Sequence, residues 1–367
     1  MVKVNRFYSD LLRVFSVTFI IFNHVSWPYY SSISHDRTSL FYQSMVFLQL
    51  LGKPSTLLFL FLSGVAFSSV AVKKEFFAGD FYTSRFFRIV PAYVLVSFLY
   101  LAGTDVSLQQ FAVYLLSGRA KYHLYFVVVI IIMYVLFPLL RKLLFSVKNA
   151  VILWSFTLAL MAIVSWLNPA QSPYYFTTAP IPLGSEALVW MDYLLFGFSL
   201  FLSGLWAGNI GHRQGMEQKK KYFILLAIVF FMLQYLDFYF RLEQGLSADD
   251  AGRTWRLSTL LYGAAMVFLL ASLKVRQKSE LVGKLARSGF LVYLFHPFVI
   301  DYFKPALLNY PLQYIVVSII LSWLTGYALY EISRRFLPVG LLLGEGDRIV
   351  KEWKNKSVRL FVPENLS

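Results

Sequence analysis

The sequence predicts an all-α, polytopic membrane protein of about ten transmembrane helices, with both termini on the cytoplasmic side. Three observations carry that expectation. Hydrophobic residues make up 58% of the chain and charged residues only 14%, against about 25% charged in soluble domains. Ten apolar stretches reach the ~17–25 residues needed to cross a bilayer: roughly 7–27, 50–72, 87–104, 123–140, 150–167, 188–209, 222–240, 257–273, 286–303 and 312–333. With the N-terminus inside, 25 of the 34 Lys and Arg fall on inner segments and 8 on outer ones, leaving Arg13 within the membrane. Such a bias orients membrane proteins, and it accounts for the net charge of +15 without a nucleic-acid partner. The expected location is the plasma (inner) membrane, crossed many times.

The first stretch runs NRFYSDLLRVFSVTFIIFNHVSW from Asn5 to Trp27. It is too long for a secretory signal, and Ser26-Trp27-Pro28 is no small-x-small cleavage site, so it is expected to stay as the first helix. It carries Asp10, Arg13, Asn23 and His24. Arg13 and His24, eleven residues apart, fall on one helix face about 16 Å apart along the axis. Asp10 sits one turn before Arg13, spaced to form an ion pair. An intramembrane arginine costs roughly 2.5–3.5 kcal/mol on insertion scales and usually faces a protein interior or wet cavity. His24 as a general base with Arg13 as an anion ligand is one reading of this face. A snorkelling arginine and an interfacial histidine are the other.

The second stretch opens at Gly52-Lys53-Pro54, which puts Lys53 at its outer end after an outer loop 28–49. Ser63-Gly64 suit a close helix approach. The next inner loop holds Arg85 and Arg88, one turn apart. Paired guanidinium groups grip phosphates, and inner-side charge alone also explains them. His123 opens the fourth helix at the outer interface. Asp192 and Asp237 stand near the outer ends of the sixth and seventh. The ninth holds Ser288, a candidate cap at the helix entry, and then Tyr293 and His296. A histidine at that depth is functional or hydrogen-bonded. The membrane domain is taken as 1–336. The tail 337–367 alternates charges with apolar residues and fits a surface-lying amphipathic helix or a disordered segment.

Much chemistry is excluded. There are no cysteines, hence no disulfide, thiolate metal site or cysteine nucleophile. The remaining histidines, His35 and His212, are loop residues, and no metal-ligand spacing appears, so neither a metal nor a resident cofactor is expected. Nucleotide-binding and serine-hydrolase signatures are absent as well.

Five motifs, in this order, resemble the acyltransferase 3 family, ten-helix membrane enzymes that acylate surface glycans and related acceptors. They are Arg13-x10-His24, the run from Pro54 to Gly64, Arg85-Phe-Phe-Arg88-Ile-Val-Pro91, His123-Leu-Tyr125 with Phe137 to Leu140, and Ser288 to Pro297. Many members carry a Glu in the fourth helix, where this chain has Val127 to Met133, and a fused periplasmic hydrolase-like domain, so the chain is expected to resemble the stand-alone subgroup. The resemblance implies an acyl-CoA donor, acetyl-CoA by expectation, with its phosphates met by Arg13, Arg85 and Arg88. It implies His24 as general base or acyl carrier, and a polysaccharide or lipid-linked glycan as acceptor. Asp10, Lys53, His123, Tyr293 and His296 are then candidates to line the acceptor side or support the site. The rival class is a transporter or flippase of a glycan or lipid-linked intermediate. Inverted halves with broken helices would favour it, and the sequence shows no internal repeat.

Overall fold

The computed structural model describes residues 6–31, 37–71, 76–144, 195, 197–205, 218–252, 256–272 and 279–345, with isolated positions at 152, 155–156, 159 and 254. Among these the secondary structure is helical and contains no strand. The helices are α1 (Arg6–Ser31), α2 (Leu40–Gly52), α3 (Ser55–Ala71), α4 (Ala78–Leu101), α5 (Leu108–Ser117), α6 (Tyr125–Leu144), α7 (Lys220–Glu243), α8 (Ala248–Ala251), α9 (Leu257–Ala271), α10 (Glu280–Leu307), α11 (Pro311–Arg335) and α12 (Leu337–Leu342). Five candidate spans are long and apolar enough to cross a membrane: Ser9–Ser31, Leu40–Ser68, Ala78–Leu101, Lys220–Glu243 and Pro311–Arg335. Shorter apolar helices cover Tyr125–Pro138 and Leu257–Leu269. The chain is a membrane protein. Most of the expected fifth span, and Asp192 in the sixth, lie outside the described residues, as does the tail beyond 345.

Three sequence-based boundaries need correction. The expected outer loop 28–49 is largely helical, because α1 continues through Pro28 to Ser31 and α2 starts at Leu40. Ser39 caps α2, its side chain accepting from the Tyr42 N–H. Lys53 sits at a break inside the candidate span Leu40–Ser68, just before α3, where Pro54 cannot continue the backbone ladder. The expected inner loop around Arg85 and Arg88 is the first half of α4. The helix carrying His296 begins at Glu280, capped by Ser279. Ser288 is no cap: it is buried in mid-helix and donates to the Leu285 carbonyl at 2.9 Å.

Helix directions follow from the contacts. A Cβ added at Gly283 or Gly289 of α10 would lie 3.8 Å from Asp10 and 3.4 Å from Val17 of α1, and His296 stacks on His24, so α1 and α10 run parallel. Tyr82 and Tyr100 of α4 meet Val135 and His123 at opposite ends of α6, which is antiparallel. Gln234 reaches Leu50 and Tyr239 reaches Gln43, so α7 opposes α2. Asp237 with Ser258 and Phe223 with Phe268 set α9 against α7. Arg287 with Tyr330 and Ile300 with Tyr314 set α11 against α10. Thus α1, α4, α7 and α10 run one way, and α2–α3, α6, α9 and α11 the other.

Small residues permit the closest crossings. Gly64 of α3 and Gly204 of the helical segment 197–205 lie back to back. A Cβ on either would enter the other helix's backbone, 2.9 Å from the Leu205 nitrogen in one case and from the Val65 nitrogen in the other. Such contacts substitute for the hydrophobic driving force that is missing between helices in lipid. Ahead of α6, α5 lies across the expected outer loop 105–122, with a Ser107–Gln110 capping box at its start. Its end is closed by Gly118 at φ +70°, a conformation L side chains avoid. Past α11, α12 returns against α4, where Leu343 is buried in the core.

Candidate functional site

Helix α1 carries two polar layers. Towards its start, Asp10 is buried and pairs with Arg13 at 3.1 Å, as their spacing predicts. Asp10 also faces α10 near Gly283 and Arg287, and the Arg287 Nε–H donates to the Tyr330 hydroxyl at 3.1 Å. Arg13 and Arg88 lie close enough for their charges to interact, and Arg88 is exposed. Its partner in the sequence motif is placed differently. The Arg85 guanidinium stands 5.0 Å from the centre of the Phe67 ring and 5.5 Å from those of Phe81 and Tyr134. That is a cation–π cage built by α3, α4 and α6, and cation–π contacts favour guanidinium groups over aromatic faces.

The second layer is formed by histidines from three helices. The His24 ring of α1 stacks on His296 of α10 with centroids 5.3 Å apart and planes at 21°. His123, just before α6, meets His296 edge-on at 5.0 Å and Tyr293 at 5.2 Å. Tyr122 packs on His24 at 4.6 Å, and Tyr100 of α4 lies 5.6 Å from His123. The Tyr293 hydroxyl donates to the His123 carbonyl. Lys53 approaches from the α2–α3 break. Its ammonium is 3.5 Å from the Tyr30 hydroxyl and close enough to His24 for their charges to interact.

Prolines shape this layer, and their effect was legible in the sequence but not drawn from it. A proline leaves the carbonyl four residues earlier without its helical N–H. In membrane helices such carbonyls are tolerated when side chains satisfy them. Pro297 opens the Tyr293 carbonyl, and His296 Nδ1 lies 2.7 Å from it. A carbonyl only accepts, so Nδ1 carries a proton, and in the neutral ring Nε2 then holds the lone pair. Pro54 opens the Leu50 carbonyl, and Gln234, 2% exposed, donates to it at 3.0 Å beside the Lys53 N–H at 3.4 Å. Pro28 likewise opens the carbonyl of His24 itself.

The cluster is costly in isolation. His123 and His296 are 2% and 0% exposed, and both nitrogens of the first and Nε2 of the second have no hydrogen-bond partner among the described residues. Each buried, unsatisfied polar atom costs about 1–3 kcal/mol, so a fold selected for stability alone would place apolar side chains here. Together the rings bring imidazole nitrogens around His24, a set suited to accepting a proton from a hydroxyl. Among the described residues no group of His, Asp and Glu has the arrangement of a metal site.

Other candidates are accounted for locally. Asp237 receives Arg241 and the Ser258 hydroxyl, both at 2.8 Å, and stands apart from the histidines. Sequence reasoning missed Tyr100 and Tyr122, whose only signal was aromatic residues beside His123. It also missed the amide cluster of α1 and α2, where buried Gln49 donates to the Asn23 carbonyl at 2.8 Å and to the Ser26 hydroxyl at 2.5 Å.

The family model described as an acyltransferase domain matches residues 6–331. The chain belongs to the acyltransferase 3 family. Searches of curated proteins and of solved structures return no match. Membership identifies a membrane acyltransferase and lends no support to the transporter alternative.

Proposed function

We propose that this acyltransferase is a multi-pass enzyme of the inner membrane, with about ten spans and both termini inside. In this reading it moves an acyl group, acetyl in the simplest case, from cytoplasmic acyl-CoA to a hydroxyl of a surface polysaccharide or lipid-linked sugar. The observation that carries the reading is the division of α1 into a basic layer at Arg13 and a histidine layer at His24. Their ~16 Å separation is comparable to the length of an extended pantetheine arm. The inner side is assigned to the Arg13 layer by the distribution of lysine and arginine.

The donor phosphates meet Arg13 and Arg88, with Asp10 orienting Arg13. Arg85, from its aromatic cage, holds the start of α4 in place and adds positive charge. The thioester then lies near His24, which takes the proton of the acceptor hydroxyl as that oxygen bonds to the acyl carbon. The carbon–sulfur bond breaks, and the proton passes to the departing thiolate of CoA. His296 and His123 support His24 by ring contact, and Tyr293 fixes the His123 backbone.

The test is mass spectrometry of surface glycans from cells with and without the gene. We expect ester-linked acyl groups in the first and not in the second. Identical esterification in both would refute the reading.

A further inference from the structure

The break between α2 and α3 is a second feature of the histidine layer, and base catalysis does not require it. It falls inside the candidate span Leu40–Ser68. Gly52 packs on Phe19 and Asn23, which holds Lys53 at the depth of His24 along α1. Among the described residues the Lys53 ammonium has no carboxylate within 4.0 Å. Its one hydrogen-bond partner there is the buried Tyr30 hydroxyl, 3.5 Å away. Asp249 lies further off, its Oδ1 accepting the Trp27 indole N–H at 3.3 Å. A cation at this depth is expensive without an anion.

The break also exposes the start of a helix. The ladder of α3 opens across the break with the Leu58 N–H donating to the Pro54 carbonyl. The N-terminus of a 17-residue helix is the positive end of its dipole, which suits anions. Ser55 is 1% exposed, and its Oγ has no partner there either. Discontinuous helices use such ends to hold anionic groups within membranes.

We propose that Lys53, the Tyr30 hydroxyl and Ser55, at the start of α3, form an anion subsite that binds a carboxylate or phosphate of the acyl acceptor. This rests on the acyltransferase reading. The donor phosphates are met at the Arg13 layer, so the anion at Lys53 belongs to the other substrate. The acceptor is then an acidic glycan or a sugar phosphate, with its anionic group within about one sugar ring of the hydroxyl that is acylated.

The experiment uses the full chain in detergent and measures thermal unfolding with millimolar glucuronate, glucose 1-phosphate or glucose. One or both anions should raise the unfolding temperature, glucose should not, and the two anions separate carboxylate from phosphate recognition. Lys53→Met should abolish the shift and Lys53→Arg should keep it. In membranes, Lys53→Met should raise the acceptor KM at least tenfold and leave the acyl-CoA KM unchanged. A shift that persists in Lys53→Met, no shift with either anion, or an unchanged acceptor KM overturns the subsite, with the acyltransferase reading intact. A wild-type protein that binds these anions but transfers no acyl group overturns that reading, and the acceptor assignment with it.

Discussion

Replacing His296 by Leu separates stability from activity at the histidine layer. The substitution removes the Nδ1–H bond to the Tyr293 carbonyl at 2.7 Å, and Pro297 offers that carbonyl no N–H in its place. An orphaned buried carbonyl costs about 1–3 kcal/mol. The same change deletes the buried Nε2, which has no partner among the described residues, and this returns about 1–3 kcal/mol. The two effects oppose each other, so the net change in stability should stay below about 2 kcal/mol in either direction. Activity has no such offset, because the ring stacked 5.3 Å from His24 disappears. We expect transfer from radiolabelled acetyl-CoA to fall at least tenfold, about 1.4 kcal/mol in barrier. Thermal unfolding in detergent measures the first quantity and transfer in membranes the second. Wild-type transfer in His296→Leu would refute a supporting role for the ring. A loss of stability beyond about 4 kcal/mol would refute the ledger.

Gln234→Leu leaves the Leu50 carbonyl with only the Lys53 N–H at 3.4 Å and also deletes the buried, unpartnered Gln234 Oε1. Thermal unfolding should therefore show a net change below about 2 kcal/mol, together with reduced transfer as the Lys53 segment shifts. Gly64→Leu drives a side chain into the backbone at Phe201 and Gly204. Overpacking costs about 1–3 kcal/mol, so the yield of folded protein should drop, and a normal yield would contradict the close crossing. The two arginines of α4 should separate. Arg88→Ala should raise the acyl-CoA KM severalfold at unchanged thermal stability, because the side chain is exposed. Arg85→Ala should lower stability first, because its guanidinium fills the space between Phe67, Phe81 and Tyr134.

The helical class and several spans were legible because apolar runs of bilayer length have few other physical solutions. The Asp10–Arg13 pair was legible from an interval that helix geometry fixes. Helix α2 was read as part of an outer loop because Pro54 looks like a helix boundary, whereas here it is a break within a longer apolar path. A hydropathy pattern cannot distinguish the two when both flanks are apolar. Arg85 and Arg88 share a motif but not an environment, since the cage comes from α3 and α6, far away in sequence. The convergence of His24, His123 and His296 was likewise invisible to local pattern, being a product of how α1, α6 and α10 pack. Prolines 54 and 297 were in plain view, but the side chains that satisfy the opened carbonyls emerge only from packing.

The central claim is that His24 performs the chemistry at a site fed from its two ends. Its most direct test is acyl transfer from labelled acetyl-CoA to deacylated surface glycan in membranes carrying wild-type protein or His24→Ala at matched levels. The account predicts labelled ester with the first and a loss of at least a hundredfold with the second, as expected when a general base is removed. Equal labelling with both proteins would contradict it.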